Sequence, residues 1–216
     1  MTEQQAGIGD VKSDAKGSGA RFNAGKVALE LIPLRIIADT WEMNRAAPEN
    51  ADAIDALYQL AAFQEGGDAS HLYIAVDRIG AAWDECAAVF TYGKKKYAAW
   101  NWAKGMPWSV PIACAARHLV NGILAGEQLD KESGLTHRGH FLCNIVMLLT
   151  YFRTYREGDD RPSQWLCMMS HEPMSNGMKE HLAREKDACQ IAEANQFYPA
   201  YPTIPFEAYS DGKAVR

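Results

Sequence analysis

The chain has 216 residues, 48% of them apolar and 23% charged, enough for one ordinary domain with a real core, alone or with a long extension. No uninterrupted apolar run approaches the roughly 18 residues that a membrane span needs, so no membrane partner is expected. A net charge of −5, from 22 basic and 27 acidic residues, argues against a general nucleic-acid binder, which carries a net basic face to displace counterions.

The first twenty residues are rich in Gly, Ser, Ala, Gln and Lys and hold no aromatic side chain. Such a segment buries too little to offset the entropy of ordering, which predicts a disordered tail over 1–20. Apolar residues at Leu31, Leu34, Ile37, Ala38 and Trp41 have helical spacing, and Pro33 suits a first turn, so a helix is expected over 33–44. A second follows over 52–64, stopped by Gly66-Gly67. Ser70 is placed to cap a third that continues to about Tyr92, with a possible break at Gly80. Pro111 opens a helix over 110–126, ended by Gly126. Its partner over 137–156 is apolar nearly all round, which makes it the expected most buried element. Period-two alternation is absent, so the predicted fold is all-α, a helical bundle. Beyond 158 the pattern breaks into scattered aromatics, one helical candidate at 178–195 and a proline-punctuated end. Residues 159–216 therefore read as an irregular C-terminal extension.

The five cysteines, at 86, 114, 143, 167 and 189, are odd in number, widely spaced and free of C-x-x-C. With no basic and apolar leader at the start, they predict a reduced cytoplasmic protein without disulfides, the thiols being buried spectators. His71, His171 and His181 lack acidic or cysteine neighbours at ligand spacing and read as surface or capping residues.

The densest polar constellation joins the two most apolar helices. Arg117 and His118 end the first, Glu127, Asp130 and Glu132 occupy the connection, and His137, His140 and Asn144 lie on one stripe of the second at i, i+3 and i+7. Several imidazoles and carboxylates left unpaired in a core would cost kilocalories each, so they must bond to one another or hold a cation. The metal reading takes Glu127, Asp130, Glu132, His137 and His140 as ligands of one or two divalent ions, Mg²⁺ or Mn²⁺. Glu127 or His118 is then the candidate base. The plainer reading is a solvated acidic loop followed by a helix capped at Thr136.

A second cluster, residues 92–108, holds Lys94, Lys95, Lys96, Lys104, Trp100, Trp102, Trp108, Tyr92 and Tyr97 and no acid. In an acidic protein this local reversal suits polyphosphate capture and base stacking. Alternatively the tryptophans plug the core and the lysines end a helix. The binding reading assigns Lys95, Lys96, Asn101, Trp102, Lys104, Arg117 and Asn144 to substrate. No Walker loop, dinucleotide fingerprint or nucleophile elbow is present.

Three blocks resemble a known family. They are Arg21-Phe22-Asn23-Ala24-Gly25-Lys26 with Leu31-Ile32-Pro33, then Tyr92-Gly93-Lys94-Lys95-Lys96-Tyr97 with Asn101-Trp102-Ala103-Lys104-Gly105, and finally Arg117-His118 through Glu127, Asp130, Glu132-Ser133-Gly134, His137, His140 and Asn144. Together they are similar to the phage dATP/dGTP diphosphohydrolase N-terminal domain family, over about 21–155 with an insertion at about 45–79. The resemblance implies a domain spanning 21–158 and a nucleotide pyrophosphohydrolase similar in role to the MazG-like all-α enzymes. Such an enzyme splits a purine deoxynucleoside triphosphate into monophosphate and diphosphate in the cytoplasm of an infected cell, where it can support synthesis of 2-aminoadenine DNA. The MazG-like E-E-x-x-E helix has no counterpart here beyond Asp84-Glu85, so the expected metal shell mixes histidine and carboxylate. A non-catalytic nucleotide-binding module and a phosphohydrolase releasing phosphate or triphosphate are the alternatives. A homo-oligomer is expected, because short helix pairs often complete their core by association.

Overall fold

The structure, a computed structural model, describes residues 8–23, 25–44 and 48–167. The helical candidate at 178–195, Cys189, His171 and His181 lie outside these. The described chain is all-α, with seven helices: α1 (Leu34–Met43), α2 (Ala51–Gln64), α3 (Ser70–Ile79), α4 (Trp83–Tyr97), α5 (Ser109–His118), α6 (His137–Thr154) and the short α7 (Ser163–Leu166). Among the described residues, extended pairing is confined to two isolated antiparallel bridges, Ile8 with Arg21 and Leu129 with Thr136.

The first helix begins where Pro33 forbids continuation backwards, and its start is satisfied from another element. The buried Gln64 accepts from the Leu34 N–H at 2.9 Å and donates to the carbonyls of Glu30 and Ile32. Arg35 makes a two-pronged ion pair with the buried Glu65, both bonds at 2.6 Å. These contacts fasten α1 to the end of α2. Ten of the fourteen residues of α2 are buried, against eleven of eighteen in α6. The most enclosed element is therefore α2, within the segment expected as an insertion; α5, with seven of ten, comes next, and α6 follows because its last turn, with Arg153 and Thr154, is exposed. Ser70 is not the cap of α3. Asp68 accepts from both the Ser70 N–H and its hydroxyl, and Ser70 is the first helical residue. Gly80, at φ 82°, separates α3 from α4 as the sequence allowed.

The core is built around Trp108, which is fully buried. Its ring stacks on Phe63 at 5.9 Å and packs on Phe152 at 5.9 Å, while its indole N–H donates to the Tyr155 carbonyl. Burying an aromatic of this size contributes about 4–6 kcal/mol. The Arg161 guanidinium covers this stack at 4.3 Å from Phe63 and donates to the carbonyls of Phe63 and Gly67. Asp160 accepts from the Ser109 N–H and hydroxyl at the start of α5. Residues 159–161, read as part of the extension, thus pack on the domain.

Where composition predicts a disordered tail, residues 8–20 form an ordered strap. Gly17 and Gly19 donate to the carbonyls of Lys104 and Gly105, and Ala20 is buried. The missing apolar side chains are replaced by partners supplied from the loop after α4. Of the cysteines, Cys86, Cys114 and Cys143 are buried and free, but Cys167 is exposed, contrary to the spectator reading.

Candidate functional site

The segment 110–126 is not one continuous α-helix. After His118 the chain widens into a π turn, Leu119–Ile123, with Leu124 donating to Leu119 and Glu127 to Gly122, both five residues back at 2.9 Å. Such turns hold one residue more than the α-helical turn they replace and recur at functional sites. This one brings the bare backbone of Gly122 against the His137 ring. A Cβ there would lie 2.8 Å from His137 Cδ2 and closer still to Cγ and Nδ1. Across the gap, α6 starts at His137 because Thr136 caps it, accepting from the Gly139 N–H at 3.1 Å.

His118 from α5 and His137 from α6 therefore face each other, Nδ1 to Nδ1, at 3.0 Å. Only one of these nitrogens can carry the intervening proton. Two imidazole nitrogens bound at about 2.1 Å to one cation at a right angle would also stand about 3.0 Å apart. The His140 ring stacks on His118 at 4.4 Å. Its Nε2 meets Ser133 Oγ at 2.7 Å, and Ser133 donates through both N–H and hydroxyl to Asp130 Oδ2 at 2.9 Å. Burial, then the neighbouring His140, pushes His118 down to about 2, and burial pushes His140 down to about 4. Both rings are thus neutral at physiological pH, the form in which imidazole binds metal. Burial acts to raise Asp130, but the Ser133 N–H and hydroxyl outweigh it and hold the carboxylate below its usual range.

His118, Asp130 and His137 each offer a ligand atom, all within 4.8 Å of one another. His137 Nε2 is buried without a hydrogen-bond partner, with Glu127 Oε2 at 3.7 Å. This donor set fits a divalent cation. It differs from the expected shell in four respects: His118, expected as a candidate base, is among the donors, and Glu127, Glu132 and His140 are not. Glu132 is engaged elsewhere, held by Lys26 at 2.8 Å and Lys96 at 2.5 Å, which depress it to about 2. His140 stands behind His118, committed to Ser133.

The cluster lines a cavity of about 850 Å³, within the range of small-molecule sites. Part of the same lining is aromatic. Trp100 and Trp102 lie 5.8 Å apart, and Phe90 packs on Trp102 at 5.1 Å. Trp100 is 72% exposed and sits at φ 60°, next but one to Ala98 at φ 113°. Two such residues are costly for non-glycine side chains, by about 1–3 kcal/mol each, and mark a segment held for a purpose other than stability.

Of the expected substrate contacts, Lys96, Asn101, Trp102 and Arg117 line this cavity, as do His118, Glu127, Asp130, Glu132, His137 and His140. Lys95, Lys104 and Asn144 do not. Lys104 is turned away because its ammonium is bound by the strap carbonyls of Val11 and Ser13. Asn144 is fully buried behind the histidines and donates to the His140 carbonyl. Asn101 uses both ends of its amide on Ala20, accepting at 3.3 Å and donating at 2.9 Å, so it positions the strap. Arg117 donates to the Val27 carbonyl at 2.8 Å and to Asn23. Lys26, Ser133 and Gly122 join the site without having been assigned a role, although Lys26 and Ser133 stand in the blocks that carry the resemblance. Ser133 and Gly122 had no local signal, since a serine in a loop and a glycine in a helix are both common.

The His71 ring pairs with the buried Gln59 at 2.7 Å, far from this chemistry. No helix among the described residues is long and apolar enough to cross a membrane. No curated protein and no solved structure matches the chain. The resemblance expected over about 21–155 is met over a later stretch: residues 73–161, which carry α4 to α6 and every member of the imidazole and carboxylate cluster, match the family model described as dATP/dGTP diphosphohydrolase, N-terminal.

Proposed function

We propose that this cavity hydrolyses purine deoxynucleoside triphosphates, dATP or dGTP, to monophosphate and diphosphate with the aid of a divalent cation. The observation that carries the reading is the meeting, in one cavity, of the His118, Asp130 and His137 donors with a lysine and tryptophan wall. The family match over 73–161 supports it.

His118, Asp130 and His137 would hold the cation. A cation bound there would neutralise charge on the phosphates and acidify an attacking water. Two imidazoles in the shell favour Mn²⁺ or a similarly borderline ion over Mg²⁺, which prefers oxygen ligands. Glu127, 3.7 Å from His137 Nε2, is the group placed to take a proton from that water. Lys96 and Lys26 now share Glu132, and a triphosphate arriving between them would compete with that carboxylate. Trp100 and Trp102 offer π faces to the purine. The same reading includes a homo-oligomer, supported by Leu31 at 81% and Met43 at 76% exposure, and a role in phage nucleotide supply.

Incubating the protein with each dNTP and Mg²⁺ or Mn²⁺, and separating the products, tests the proposal. Monophosphate and diphosphate are expected, and no turnover of any triphosphate would refute it. Release of inorganic phosphate or triphosphate instead would identify the other phosphohydrolase chemistry. A non-catalytic binding module would hold dNTP as tightly in chelator as in Mn²⁺.

A further inference from the structure

Arg21 lines the cavity, and among the described residues its guanidinium has found no oxygen. Its backbone is fixed on all sides. Ile8 pairs with it through two bonds of 2.9 Å, Asn101 clamps Ala20 just before it, and Tyr97 Oη accepts from the Phe22 N–H just after it at 3.1 Å. Among the described residues the guanidinium itself, with five donors, reaches only the thioether of Met147, at 3.5 Å. Sulfur is a weak acceptor. Its charge also acts on the thiols of Cys114 and Cys143 and the phenols of Tyr97 and Tyr151. Among the described residues no carboxylate or carbonyl receives it. Arg35, Arg117 and Arg161, which are also enclosed, each bond to oxygen.

A guanidinium held rigidly in a cavity wall without an acceptor is costly unless an anion arrives. Its position says which anion. Arg21 lines the same cavity as the metal donors, and its charge acts on His118 and His140 as well as on Tyr97 and Tyr151, so an anion held by those donors would share the cavity with its guanidinium. A planar fork there matches two oxygens of a phosphate chain.

We propose that Arg21 binds the phosphate chain of the nucleotide directly, a substrate contact pre-aimed by the Asn101 and Tyr97 clamps. This rests on the nucleotide reading of the cavity. The test uses inorganic tripolyphosphate, which has no base, and dGTP, both titrated calorimetrically into the full chain in Mn²⁺. Wild type should bind both. Arg21→Met should weaken both by about 10- to 100-fold, the worth of one or two charge-assisted hydrogen bonds, and Arg21→Lys should fall between. Metal-free Arg21→Met should melt no lower than wild type, because an unpaired charge is removed into sulfur and aromatic surroundings; a purely structural arginine would lower it.

A second measurement needs no variant. Phenylglyoxal labelling of wild type, followed by mass spectrometry, should show Arg21 protected when tripolyphosphate is added. Equal binding by Arg21→Met, or equal labelling of Arg21 with and without tripolyphosphate, would overturn the assignment and leave the nucleotide reading intact. Loss of dGTP affinity with tripolyphosphate affinity unchanged would also overturn it, by moving Arg21 to the base. Wild type that binds neither compound would overturn the nucleotide reading and this inference together.

Discussion

Replacing Gly122 with alanine adds one methyl group where the His137 ring passes. The backbone there is helical and accepts alanine, so any cost comes from the ring. Carbon atoms in contact settle at about 3.5–4.0 Å, and the least crowded of the three nearest ring atoms would be at 2.8 Å. The ring or the turn must therefore move by at least about 0.7 Å. Metal sites tolerate about 0.2 Å in ligand position, and the 3.0 Å contact between His118 and His137 would be lost. Overpacking of this kind costs about 1–3 kcal/mol, of which up to about 1 kcal/mol is returned by the better helix propensity of alanine. Gly122→Ala should therefore melt at or a few degrees below wild type and bind Mn²⁺ at least about tenfold more weakly. Gly93→Ala is the matched control: it is also helical, nothing lies near its added Cβ, and it should gain up to about 1 kcal/mol. Thermal melts and Mn²⁺ titrations of the three proteins check this. Wild-type Mn²⁺ affinity in a folded Gly122→Ala would refute the placement of His137 as a ligand.

The metal-free protein should lose stability in acid. An unfolded imidazole titrates near 6.5, but folded His140 and His118 titrate at about 4 and about 2, so below pH 6.5 the unfolded state binds protons that the folded state refuses. Stability then falls by up to about 1.4 kcal/mol per pH unit for each ring, levelling near pH 4 for His140 and continuing toward pH 2 for His118; urea unfolding in chelator at pH 7 and pH 5 measures it, and equal stability at both would contradict it. Thr136→Ala removes the cap of α6 and the donor to Glu85, and should cost about 1–2 kcal/mol in urea unfolding. Lys96→Ala should raise KM for dNTP about tenfold by removing a phosphate contact. Lys104→Ala should instead speed tryptic cleavage after Lys12 and Lys16, with a smaller effect on KM, because its ammonium binds the strap.

The helices were legible because their punctuation is local. Pro33, Gly80 and Gly126, with the Thr136 cap, each act within a turn of their own position, and the apolar spacing between them needs no tertiary information. The π turn was not, because a helical wheel carried past His118 has the wrong phase. It sets Ile123 inward with Leu124, whereas Leu124 is buried and Ile123 only partly so. The polar residues at 118–140 were legible as a cluster, since imidazoles on the core stripe of a helix demand partners. Which of them face one another was not. That depends on Gly122 admitting a ring, and on Lys26, over a hundred residues earlier, reaching Glu132. The lysines show the same limit: composition marked the run, but only the helical phase of α4 puts Lys96 on the cavity and leaves Lys95 off it.

The strap also dictates an order of events during synthesis. Residues 8–22 leave the ribosome before their partners: Asn101, which clamps Ala20, follows eighty-one residues later, and Glu157, the ion-pair partner of Lys16, comes later still. Closing loops of that length carries an entropic cost that only a nearly complete core can offset. The bundle must therefore assemble while the strap waits unplaced, and the cavity wall carrying Arg21 is completed only after α6 has docked.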